Sequence, residues 1–170
     1  TNSEGGSASN SSTHWRLVTS DGFSGVYRAS GFSVGASVVA GDGEAMESGY
    51  DGRSTRYHAD LPDAHAIGQE AGRRAAARLG ARKIDSTTAA VIFENRSAMS
   101  LISPLIGAIA GPSIARGTSF LKDKLHQQIF AKGVNITDNP HKIRGLGSSP
   151  FDDEGVANRA WSLIEDGVLT

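Results

Sequence analysis

Gly31-Phe-Ser-Val-Gly-Ala-Ser-Val-Val-Ala40, closed by Gly41-Asp42-Gly43, is the stretch on which the reading of this chain turns. Its valines and serines suit extended backbone, and the Gly-Asp-Gly triplet supplies a reversal. Its small side chains leave room for other backbone to pack close. On the N-terminal side Asp21-Gly22 is a second turn, and His14-Trp-Arg-Leu-Val-Thr19 before it reads as a strand. On the C-terminal side Met46 to His58, with Tyr50, Thr55 and Tyr57, is again extended. Residues 1–60 are therefore predicted to be an antiparallel meander. Ser3–Ser12 stands apart, because its small polar composition taken alone is that of a disordered tail.

Leu61-Pro62-Asp63 opens a helix with proline in the first turn, and Gly80 stops it, so 61–83 is predicted to be amphipathic and helical. Ile67, Ala71, Ala75 and Leu79 recur every four residues as a narrow apolar stripe, and Arg73, Arg74 and Arg78 are expected in water. Further on, Ala89-Ala-Val-Ile-Phe93 reads as a buried strand. Ala98 to Gly111 is almost uncharged and helical in character, with Pro104 inside it. It is shorter than the about 18 residues that span a bilayer, so a buried core helix is expected. Asp166-Gly167 near the C-terminus is a hairpin turn whose returning strand looks cut, which suggests a piece of a longer protein. The fold class expected is α+β, mostly antiparallel sheets with one amphipathic and one buried apolar helix. Residues 84–170 are read as a strand, the buried helix and a β-rich remainder of one incomplete domain.

Composition excludes more than it selects. A formal net charge of -1 and a pI near 6.5 give no electrostatic drive toward nucleic acid. With no cysteine there is no disulfide framework, no thiol nucleophile and no Cys-containing zinc site. The first residues lack the basic and apolar segments of a signal peptide. Glycine, at 21 of 170 residues, predicts many tight turns.

Few residues carry recognisable chemistry. Gly31-Phe-Ser33-Val-Gly35 fits a nucleophile-elbow pattern, but β-like sequence continues past it where a helix should begin. His14, His58, His65, His126 and His141 include no pair one helical turn apart with a glutamate beside the first, the arrangement that brings two imidazoles and a base to one zinc. Gly145-Leu-Gly147 lacks the third glycine of a dinucleotide fingerprint. Asn10, Asn95 and Asn135 head glycosylation patterns that are common by chance. Asp152-Asp153-Glu154-Gly155 is the densest acidic cluster. It most often forms a solvated turn, the reading favoured here over a general base or a seat for a peptide amino terminus.

Several segments, in order, resemble a known family. Thr1-Asn-Ser-Glu-Gly5, Ala89–Phe93, Leu105-Ile-Gly-Ala-Ile-Ala-Gly111, Ser119-Phe-Leu-Lys-Asp-Lys-Leu125, Asn139-Pro-His141, Gly145-Leu-Gly-Ser-Ser-Pro-Phe-Asp-Asp-Glu-Gly155 and Ile164-Glu-Asp-Gly-Val-Leu169 look like the TldD/PmbA family, also called modulators of DNA gyrase. The likeness implies a place in the middle of a protein more than twice as long, at the start of its C-terminal domain. The TldD branch carries a His-Glu-x-x-x-His helix that binds a metal. With the shared glycine at Gly107, this chain has Ser103, Pro104 and Ala108 at the first His, the Glu and the second His. The resemblance therefore implies the PmbA/TldE branch: a cytoplasmic, non-catalytic subunit with no metal of its own. It implies a TldD-type partner holding zinc, unfolded peptides as substrates, and neither nucleic acid nor membrane as partner. A self-sufficient peptidase using residues outside this chain, or an interaction protein acting on gyrase or a toxin-antitoxin system, are the alternatives. Asp153, Glu154 and Gly155, common to both branches, are expected to form an ordered turn with a peptide-binding or structural role.

Overall fold

The computed structural model describes all residues, Thr1–Thr170, and they form two compact units. One comprises Thr1–Lys83 with Asn139–Arg159, the other Ile84–Asp138 with Ala160–Thr170. Both sheets are antiparallel and the class is α+β, as expected.

The first unit is built on the meander β1 (Asn2–Val18), β2 (Ser24–Ala40) and β3 (Glu47–Thr55), in that order across the sheet. Ser3–Ser12 is no tail. It pairs along β2 from Ser3↔Val38 to Ser12↔Ser30, with one irregularity at Ser3/Gly5, and Ser9 and Ser33 exchange a hydroxyl hydrogen bond at 2.8 Å. Composition misleads there because a neighbouring strand satisfies the main chain of small polar residues as well as that of apolar ones. Gly41, at φ +86°, turns β2 toward β3, a conformation that costs glycine little.

Helix α1 (Ala64–Arg78) starts at Asp63, whose carboxylate accepts the His65 N–H at 3.3 Å, and is followed by Gly80 at φ +70°. Ile67, Ala71 and Ala75 are its buried stripe, and it lies on β2 and β3. Gly49 of β3 makes that approach possible, since a Cβ there would sit 2.3 Å from Ala75 N and 2.6 Å from Ala71 O. Leu79, the expected end of the stripe, is 42% exposed. Of the three arginines, Arg73 and Arg78 are exposed as expected and Arg74 is half-buried. Arg74 is drawn between Glu70 at 2.7 Å and Asp51 at 3.9 Å, and Arg78 donates to Ser48 O at 2.9 Å.

In the second unit the segment 84–94 is irregular, and the strand expected at Ala89–Phe93 does not form. Ile92 is 97% exposed. The sheet of this unit consists of β4 (Ile136–Asp138), β5 (Trp161–Glu165) and β6 (Val168–Leu169), none of which borders the segment. A β-prone run without a neighbour has no ladder to join.

Helices α2 (Asn95–Ile109) and α3 (Gly111–Ala115) follow, separated by an extended Ala110. The helix expected as buried is covered on one side only. Leu105 and Ala108 join Leu121, Ile164 and Leu169 in the core, while Met99, Leu101 and Ile106 face solvent. The β5–β6 hairpin is as expected: Asp166 and Gly167, both at positive φ, make the tight turn, and the Asp166 carboxylate accepts the Gly133 N–H at 2.6 Å. No helix is long and apolar enough to cross a membrane.

Asp138 and Trp161 are partners across the β4–β5 ladder. Of the polypeptide between them, all but Ala160 is an excursion, Asn139–Arg159, that folds with the first unit.

Candidate functional site

Ser103, Pro104 and Ala108 all lie on α2, where the sequence places them. Each residue of an α-helix turns about 100°, so the first and last are about 140° apart around the axis. The burial pattern agrees: Ser103 and Pro104 are exposed, whereas Ala108 is in the core. As α2 packs in this chain, the three are therefore not presented together. Nor do their side chains suit a divalent metal, since a hydroxyl, a pyrrolidine ring and a methyl group offer neither imidazole nor carboxylate. Elsewhere no group of three or more His, Asp or Glu side chains converges as a metal site. The residues present do not fit a catalytic zinc.

The histidines are dispersed. His14 is on β1, His65 in the first turn of α1, and the His58 ring stands edge-on to Phe32 at 5.7 Å. His126 donates its N–H to Leu169 O at 2.8 Å, and His141 Nε2 meets Asn158 O at 2.8 Å. Ser33 sits in the middle of unbroken β2, so no elbow exists there.

The acidic cluster forms an ordered turn. Asp152 is its organiser: Oδ1 accepts the N–H groups of Glu154 at 3.0 Å and Val156 at 2.8 Å, and its own N–H donates to Val156 O at 3.0 Å. Phe151 and Ala157 bridge at the base. Asp153 and Glu154 are exposed at the tip. Gly155 adopts φ +86° against the Phe23 ring. Phe151 is buried edge-on to Phe23 at 5.1 Å and Tyr27 at 5.5 Å, which seats the turn on the meander. Asp152 was legible as part of the cluster, but its role as organiser was not, because an Asx-type turn reads the same as any acidic turn. Arg56 and Arg144, which fasten this segment, gave no sequence signal.

In the second unit, a cavity of about 740 Å³ is lined largely by apolar side chains, among them Ile102, Ile106, Ile114, Leu125 and Trp161. Its few polar lining residues form no catalytic constellation.

Fold and donor set together define an α+β scaffold with a well-held acidic turn and no metal centre of its own within these residues. Comparison with known proteins assigns the scaffold. Residues 1–79 match the PmbA/TldA metallopeptidase central domain and residues 86–170 the PmbA/TldA metallopeptidase C-terminal domain. The chain belongs to the PmbA/TldD metallopeptidase family. It is 37% identical over its whole length to Metalloprotease PmbA of Escherichia coli O157:H7, spanning 38% of that relative. It is 35% identical over 84% of its length to the PmbA homolog of Buchnera aphidicola from Acyrthosiphon pisum, spanning 32% of it. A crystal structure of a candidate modulator of DNA gyrase from Bacteroides thetaiotaomicron matches with a TM-score of 0.90 at 32% identity, covering 96% of this chain and 38% of the other. TldE of Thermococcus kodakarensis, at 20% identity and a TM-score of 0.74 over 96% of this chain and 37% of the other, shares the fold.

Proposed function

We propose that the full-length protein is the non-catalytic subunit of a cytoplasmic TldD/TldE-type metallopeptidase complex acting on unfolded peptides. The observation that carries this reading is the set of side chains on α2. A peptidase zinc needs ligands that hold it and a base that takes a proton from its water. Ser103 and Pro104 offer neither, and Ala108 is committed to packing. In this reading a TldD-type partner holds the zinc on its own His-Glu-x-x-x-His helix. The chain described here supplies shape: α2 packs a core, and Asp153, Glu154 and Gly155 form a fixed acidic turn on the peptide-binding side.

The name of the Escherichia coli relative, Metalloprotease PmbA, favours a second reading, a peptidase that works alone with residues outside 1–170. One experiment separates the two. The full-length protein, the metal-bearing partner and their mixture are each incubated with an unstructured peptide, with and without chelator. Hydrolysis by the mixture alone, abolished by chelator, is expected. Metal-dependent hydrolysis by the purified full-length protein without partner overturns the proposal.

A further inference from the structure

Two arginines pointing in opposite directions fasten the excursion Asn139–Arg159 within its unit. Arg56, directly after β3, reaches three main-chain carbonyls: Nη1 donates to Ser30 O at 3.1 Å, Nε to Gly145 O at 3.4 Å, and Nη2 to Leu146 O. Its own carbonyl accepts the Ser30 hydroxyl at 2.6 Å. Arg144 runs the other way, from the excursion to the short 3-10 turn His58–Asp60, where Nη1 donates to both Asp60 oxygens at 2.7 and 3.0 Å. Its guanidinium carbon lies 4.1 Å from the centroid of Tyr57. The Arg144 ion pair is half-exposed and worth little by itself. Arg56 differs. A planar guanidinium presents its donors in a fixed fork, so one side chain joins β2 to two successive carbonyls of the Gly145–Gly147 loop.

That loop lies upstream of Pro150-Phe151-Asp152, and the Ser149 N–H donates back to Pro140 O at 3.2 Å. Pinning Gly145 and Leu146 therefore fixes where the chain enters the acidic turn, while Phe151 fixes it from the other side.

We propose that Arg56 is a positioning residue for peptide handling: by holding Gly145 and Leu146 to β2 it sets the placement of the Asp152–Gly155 turn that meets the peptide. This rests on the reading of the turn as part of the peptide-binding side of the two-subunit peptidase. Arg56 touches neither peptide nor metal. It acts through the turn, and its loss should weaken peptide capture while leaving the partner's chemistry intact.

The test uses the full-length protein mixed with its metal-bearing partner and an unstructured fluorogenic peptide. Hydrolysis by the unsubstituted pair is measured first, and its absence overturns the subunit reading and this proposal with it. Arg56→Lys keeps the charge and loses the fork. It is expected to speed amide hydrogen exchange across residues 142–156 about tenfold, the scale set by losing one charge-assisted hydrogen bond. It should raise KM about tenfold with kcat within about twofold. Arg53→Lys, an exposed β3 position, should change none of these. In an Asp153→Asn, Glu154→Gln background, Arg56→Lys should add no further rise in KM, since both changes act through one turn. Unchanged exchange overturns the proposal. So does faster exchange with unchanged KM, an outcome that leaves the subunit reading standing. Asp153 and Glu154 are exposed, so their double variant is informative even if Arg56→Lys fails to fold. If that double variant leaves KM unchanged, the proposal is overturned.

Discussion

Gly155 carries two constraints at once: its φ of +86° disfavours any side chain, and a Cβ there would stand 2.6 Å from Phe23 Cδ1. Gly155→Ala should therefore lower stability by about 2–4 kcal/mol, combining backbone strain with an overpacked aromatic contact. Gly68, inside α1 with nothing within 4 Å of a built Cβ, should do the opposite, and Gly68→Ala should gain up to about 1 kcal/mol. Urea denaturation of both variants checks the pair, and equal effects would contradict the geometry. Glu70 supplies the pH-dependent residue. Two hydrogen bonds from Arg73, with the charges of Arg73 and Arg74, lower its carboxyl from 4.5 to about 2. A depressed carboxylate stabilises the fold fully above the unfolded value and ceases to do so as pH falls through the folded one. The denaturation midpoint should thus drop between about pH 4.5 and 2, and Glu70→Gln should flatten that part of the profile. The Glu70–Arg74 spacing is visible in sequence, but the second partner of Arg74, Asp51, comes from β3 and is not.

Among the elements, α1 was readable in outline because its signals are local, Asp63 at the start, Gly80 at the stop and a small apolar stripe between, although it occupies Ala64–Arg78 of the expected 61–83 and leaves Pro62 outside and Leu79 exposed. The β5–β6 hairpin was readable for the same reason. Ala89–Phe93 shows the limit of local reading, since strand formation depends on a neighbour that these residues do not supply. Ser3–Ser12 shows the converse, a polar run made regular by its partner β2. Helix α2 was legible as a helix, yet its one-sided burial was not, because its outward residues are as apolar as its inward ones. Pro104 lies on that outward side and leaves the Ser100 carbonyl without its usual helical donor. Pro104→Ala should stabilise the protein by about 1–3 kcal/mol and leave peptide turnover by the two-subunit mixture unchanged. A loss of turnover in a well-folded variant would give Pro104 a functional role that the present reading denies it.

For the molecule as a whole, surface area is the informative quantity. The chain exposes 12573 Å², whereas a folded monomer of its mass exposes about 7,900 Å². Two separate bodies of half the mass would expose about 9,600 Å². Large apolar side chains contribute to it: Met99, Phe120, Leu125 and Trp161 are all more than half exposed. The chain spans 38% of the Escherichia coli relative it matches, and surface of this kind belongs against other polypeptide. Residues 1–170 produced alone should bind 8-anilinonaphthalene-1-sulfonate and self-associate, and the full-length protein should do much less of both. Dye fluorescence with light scattering is the check, and a dye-silent monodisperse fragment would refute it.

Asp138 and Trp161 face each other across the β4–β5 ladder, with the Trp161 indole N–H donating to the Asp138 carboxylate at 3.4 Å, so everything between them leaves and re-enters the sheet at one doorway. Such a segment is a cassette. Its exposed tip, Asp153 and Glu154, can lengthen at small entropic cost, about 0.6 kcal/mol for each doubling of a flexible loop, while Phe151 and Arg56 hold its base. Diverging descendants of this scaffold can therefore vary the exposed acidic tip while leaving the β4–β5 ladder as it is, but an exchange of the whole cassette must still match Arg56, Phe23 and Tyr27 on the meander.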